Sequence, residues 1–196
     1  MGRNRRVSRF VVVCAAVLAL CGLVAAGAAA RPAPQTEPGD VLDPRTYAPE
    51  SQLFLVAHAE GTQTYTCTTG GTWSTASVPD ATLYETNGAD AQPKVIGMHF
   101  LNLLTGRPVW QLKDGSSAEA ARYAAAAGGT GNIAWLLLQA VATTPGSDGS
   151  RLTQTTWIQR LNTVGGVAPS GACTPGATVA VGYSADYFFW RAVGGA

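Results

Sequence analysis

Residues 116–129 read "SSAEAARYAAAAGG", and how they fold decides the class of the whole protein. Alanine, glutamate and arginine are good helix formers, so local propensity alone makes this stretch a helix. "IAWLLLQAVA", residues 133–142, is equally divided, because a short continuous apolar run fits a buried strand or a buried helical segment. With helices here the chain mixes α and β; with strands it is all-β.

The residues on either side favour strands. "LFLVAHA" (53–59), "TQTYTCT" (62–68), "TWSTAS" (72–77) and "ATLYET" (81–86) are set apart by Glu60-Gly61, Gly70-Gly71 and Val78-Pro79-Asp80. Asn87-Gly88 is a good hairpin turn. "KVIGMHF" (94–100) and "RPVWQLK" (107–113) follow, closed by Asp114-Gly115-Ser116. Threonine, valine and aromatics suit a half-buried pleated surface, and regular spacing of short segments points to an antiparallel sandwich or barrel. "LTQTTWIQRLNTVGG" (152–166) and "TVAVGYSADYFFWRAV" (178–193) continue this composition to the C-terminus.

At the other end, "MGRNRRVSRF" carries four arginines and no acid, and leads into the apolar "VVVCAAVLALCGLVAAGAAA". A basic start, an apolar run and small residues at its end are the pattern of a secretory signal peptide, with cleavage expected before Arg31. The run is also near the length of a membrane-spanning helix, the competing reading. Leu20 before Cys21 argues against a lipoprotein, and Arg5-Arg6 lacks the apolar pair of a twin-arginine signal. Residues 31–50 hold five prolines and read as an extended arm, leaving 51–196 as one β-rich domain.

Without residues 1–30 the chain keeps nine of its 13 basic residues and all 12 acids, a net charge of −3. That offers no basic footprint for nucleic acid or anionic lipid. Cys14 and Cys21 leave with the signal, so Cys67 and Cys173 remain, and a lone pair in an exported chain is most simply a disulfide. Closing so long a loop contributes about 4 to 5 kcal/mol in the chain-entropy picture, less any native strain. Two isolated cysteines lack the close ligand spacing of a zinc site.

The familiar catalytic signatures are missing: no G-x-S-x-G elbow, no H-E-x-x-H, no Walker lysine and no paired CxxC. "GTGNIA" (129–134) fits G-x-G-x-x-A formally, yet polyalanine rather than a strand-like segment precedes it. Neither a cofactor nor a metal is expected. Of the two histidines, His58 reads as a hydrogen-bonded strand residue. His99 has Trp110 and the Arg107-Pro108 turn nearby in sequence, a composition suited to a pocket.

The most concentrated polar stretch is "TWIQRLNTVGGVAPSGAC" (156–173). On a strand, Trp157, Gln159 and Leu161 share one face, and Ile158, Arg160, Asn162 and Val164 the other. Buried, Gln159 and Arg160 need partners, and Asp186 is a candidate to complete Arg160 in a polar network. Alternatively Gln159, Arg160 and Asn162 face a cavity, with Trp157 or Trp110 as a stacking platform for a polar or sugar-like ligand. Gly165-Gly166 allows a sharp turn there, and Pro169 stiffens the exit toward Cys173.

With these residues in view, the chain resembles a family of secreted bacterial and fungal proteins catalogued as a domain of unknown function, number 3455. The likeness rests on "GTQTYTC", "ATLYE", "VIGMHF", a tryptophan before "KDGS", "AWLLLQA", "WIQRLNTVGGVAPSGAC" and "VGYSADYFFW", spanning about residues 53 to 190. The link between histidine and tryptophan, "LNLLTGRPV", is longer here than the family's usual one. The resemblance implies alternating strands for both ambiguous stretches, and therefore an all-β single domain, an antiparallel β-sandwich or partly closed β-barrel with one disulfide. Some fungal members carry a malate dehydrogenase label, but this chain offers no dinucleotide-binding βαβ unit to support it.

Three functions are compatible with this reading. The first is a secreted, non-catalytic binding or cell-envelope module for a small polar or glycan ligand. The second is an extracellular hydrolase or lyase using His99 with Asp186 or Glu85 as acid and base. The third is a protein-protein interaction module presenting a contiguous apolar patch. 

Overall fold

The computed structural model describes residues 40–85 and 93–194. The expected signal segment, the start of the Pro-rich arm and the expected Asn87-Gly88 turn lie outside them. Eight strands carry the fold: β1 (Ser51–Thr66), β2 (Val78–Glu85), β3 (Lys94–Asn102), β4 (Arg107–Leu112), β5 (Ser117–Ala126), β6 (Trp135–Thr144), β7 (Thr155–Gly165) and β8 (Thr178–Ala192).

Both ambiguous stretches are strands, β5 and β6, so the domain is all-β. Pairing outweighs the helix propensity of the alanines. Ala118 stands opposite Trp110 on β4, and Ala118 and Ala120 are fully buried in the aromatic-rich core. A small side chain beside a large one is how the inside of a small barrel fills.

Each strand pairs antiparallel with the next, and β8 returns to β1, so the sheet is a fully closed barrel rather than a sandwich or a partly open one. Closure is made by the two longest strands, which pair from Ser51 opposite Ala192 to Thr66 opposite Thr178, with one register shift at Leu53/Leu55. Several sequence expectations fail locally. Val78-Pro79-Asp80 and Arg107-Pro108 are not turns but open β2 and β4. Glu60-Gly61 is no turn but the middle of β1. A Cβ on Gly61 would sit 2.1 Å from the Asp80 carbonyl oxygen, so the glycine permits close approach of β2. "TWSTAS" is no strand: apart from two isolated bridges, Cys67 to Trp73 and Thr72 to Ala172, it belongs to the β1–β2 connection. The Cys67–Cys173 disulfide, 5.9 Å between Cα atoms, ties that connection to the one between β7 and β8, as expected.

Inside, alternate residues of every strand form the main core, from Leu55 and Ala57 on β1 to Tyr187 and Phe189 on β8. Fully buried Leu152 joins that core from the β6–β7 connection at one end of the barrel. Its amide donates to Ser116 Oγ, which donates to Asp114. The opposite end, ringed by the β1–β2, β3–β4, β5–β6 and β7–β8 connections, opens into a cup.

A second apolar cluster lies on the outer wall, where Trp135, Leu137 and Trp157 pack beneath Leu42. Leu42 belongs to a strap of two 3-10 turns, Asp40–Leu42 and Pro44–Thr46, the latter capped by the Asp43 carboxylate accepting from the Arg45 amide. The described part of the Pro-rich arm is thus seated on the barrel. On β7 the register shifts between Leu161 and Val164, and within that bulge Asn162 takes φ +52°, the only left-handed non-glycine among the described residues.

Candidate functional site

The cup is a cavity of about 320 Å³ reaching from the mouth into the barrel. Its floor begins with His99 on β3 and Trp110 on β4, directly opposite each other in the ladder. Their rings stack, 4.4 Å between centroids and 12° from parallel, and Tyr187 leans against both. The long link between them projects as the hairpin tip, residues 103–106, and leaves this pairing intact.

His99 is fully enclosed, and burial pushes its imidazole down to about 3, against the pull of the Val109 carbonyl and with the Arg160 charge adding to the shift. The ring is neutral at physiological pH, and Nδ1–H donates to the Val109 carbonyl at 2.9 Å. Burial likewise raises the Tyr183 and Tyr187 phenols, so both hydroxyls keep their protons. They stand 3.5 Å apart.

Arg160 enters from β7. Its Nε and Nη2 donate to the Ala134 carbonyl at 3.1 and 2.8 Å, which fixes the guanidinium and anchors the end of the glycine-rich connection. Among the described residues it makes no ion pair, whereas Arg45, Arg107 and Arg151 pair with Asp43, Glu119 and Glu85. Among the described residues no carboxylate lines the cup.

Trp110 Nε1 is enclosed without a hydrogen-bond partner, and Gln63 Nε2 has only the Tyr183 hydroxyl near it; both residues line the cavity. The other side of the Gln63 amide is used, since Oε1 accepts from Ser77 Oγ at 2.5 Å. A buried amide or indole N–H left unpaired costs about 1–3 kcal/mol. A cation without a counterion among the described residues lines this cavity.

Of the residues singled out by sequence, the cup unites His99, Trp110 and Arg160. Asp186 does not complete Arg160. Alternation along β8 sends Asp186 outward while Tyr187 faces in, and its carboxylate binds His58 Nδ1 at 2.8 Å and Asn162 Nδ2 at 2.9 Å. Asn162 departs from the Arg160 face because the bulge turns it outward. Trp157 and Gln159 also leave the cavity. Trp157 packs under Tyr47 and Tyr123, while Gln159 donates to the Leu42 carbonyl at 2.6 Å and accepts from Trp190 Nε1 at 2.7 Å. Glu85 pairs with Arg151. His99 thus forms no acid-base pair with either Asp186 or Glu85. Gln63, Arg122, Tyr183 and Tyr187 were not anticipated. For Gln63, the signal was its phase: it alternates with Ala57, Ala59 and Tyr65, all buried.

Among the described residues, no group of three or more His, Cys, Asp or Glu side chains is placed to hold a metal ion. A family model described as "Protein of unknown function (DUF3455)" matches residues 48–191. No curated protein and no solved structure matches the chain significantly.

Proposed function

Since the chain belongs to this family of unknown function, we propose from the chemistry of the cup that the protein binds a small organic anion, without transforming it. The observation that supports this reading is Arg160, which lines the cup and has no counterion among the described residues. An anionic oxygen accepting from the guanidinium neutralises it, and a charge-assisted bond is the stronger kind. A neutral sugar leaves the charge. The apolar walls, with Leu101, Pro108, Leu136 and Leu138, suit a hydrocarbon body.

Catalysis is disfavoured by the same groups. His99 is locked neutral and both phenols are held protonated, so the cup lacks a proton carrier tuned to neutral pH. We also propose that the protein works in an oxidising compartment outside the cytosol; the Cys67–Cys173 bond and the basic-apolar N-terminus support this.

The test is isothermal calorimetry and thermal shift of the oxidised protein with hexanoate, octanoate and their neutral amides, repeated on Arg160→Met. Saturable binding of the acids, with the amides at least tenfold weaker and the preference lost in the variant, is the expected result. Equal binding of acids and amides, or binding of none of these compounds, overturns the proposal.

A further inference from the structure

The cup holds a second arginine. Arg122 lines the same cavity from β5 and, like Arg160, makes no ion pair among the described residues. The ladder fixes the relation of the two. Arg122 stands opposite Leu138 on β6, and Leu136, two residues earlier on β6, stands opposite Arg160 on β7. Strand spacing of about 4.8 Å and a rise of about 3.3 Å per residue place their Cα atoms roughly 12 Å apart. The leucines between them, Leu136 and Leu138, both line the cavity. Arg160 is part-buried at its carbonyl anchor, whereas Arg122 is exposed.

Resting on the reading of the cup as an anion site, we infer that its ligand carries two anionic groups joined by an apolar spacer. Arg160 takes one group in the interior, and Arg122 takes the other nearer solvent. Two like charges lining one cavity without an acid repel each other, and a single anion relieves only part of that. A doubly charged ligand neutralises both, while its methylenes cover Leu136 and Leu138. Arg122 has no structural hydrogen bond among the described residues, which leaves ligand selection as its role.

The experiment compares the oxidised protein's affinity for α,ω-dicarboxylates of six to ten carbons with that for monocarboxylates of equal length, in wild type and Arg122→Gln. The best diacid is expected to bind at least tenfold tighter than its monoacid. Arg122→Gln should collapse the ratio of diacid to monoacid affinity toward one, and raising salt should shrink the wild-type gap. If monoacid and diacid bind equally, or Arg122→Gln leaves their ratio untouched, the two-charge inference fails while the anion site stands. If neither class binds, both fall.

Discussion

His99 and Trp110 face each other across β3 and β4 with their rings stacked at 4.4 Å. This contact fixes the floor of the cup and encloses an ionisable group whose neutral form burial favours.

Acid should therefore destabilise the protein through His99. The unfolded imidazole takes a proton near 6.5 and the folded one only near 3, so between those values the unfolded state binds more protons. Stability is full above pH 6.5 and declines as the pH falls toward 3, by about 2 to 3 kcal/mol at pH 4.5 at 1.36 kcal/mol per unit. His99→Gln, neutral at every pH, should flatten this dependence relative to wild type. Urea midpoints measured from pH 7 to 4.5 check it, and parallel curves for the two proteins would refute it.

Gln159 should hold the strap and leave the cup alone. Its amide joins the Leu42 carbonyl to the Trp190 indole, so Gln159→Leu strands one buried acceptor and one donor, costing about 2 to 3 kcal/mol. Trypsin should then cut after Arg45 many times faster than in wild type, while anion affinity is kept. A loss of affinity in folded Gln159→Leu would mean that strap and cup are coupled.

The Cys67–Cys173 bond should stabilise the mouth. The connection it secures also contributes Thr75, Ala76 and Ser77 to the rim, and Ser77 positions Gln63. Replacing both cysteines by serine should cost about 2 to 4 kcal/mol in urea unfolding. At temperatures where the variant stays folded, anion binding should weaken several-fold. Unchanged binding would separate the staple from the site.

Composition and segment spacing favoured strands, and the family resemblance decided the two ambiguous stretches, but alternation alone could not say where a strand changes phase. Asn162 shows the limit. Counting by twos puts it beside Arg160, whereas the bulge turns it outward to Asp186. Arg160 was recognisable as a buried cation in need of a partner; that no acid meets it is a property of the closed ring, which decides which side chains share the interior. Gln159 looked like a site residue because its strap partner, Leu42, lies 117 positions away. Glu60-Gly61 looked like a turn because close approach of a neighbouring strand and a change of direction both select glycine.

The pairing of β1 with β8 also sets the timing of folding. The first strand's partner along most of its length is the last, so a growing chain cannot close the ring until Ala192 has been made. Pairings so distant in sequence form slowly, because a long loop must be ordered before the contact rewards it. Until then the edges of β1 and of the newest strand stay open to other chains. A polypeptide built this way stays an unclosed sheet until its last strand is made.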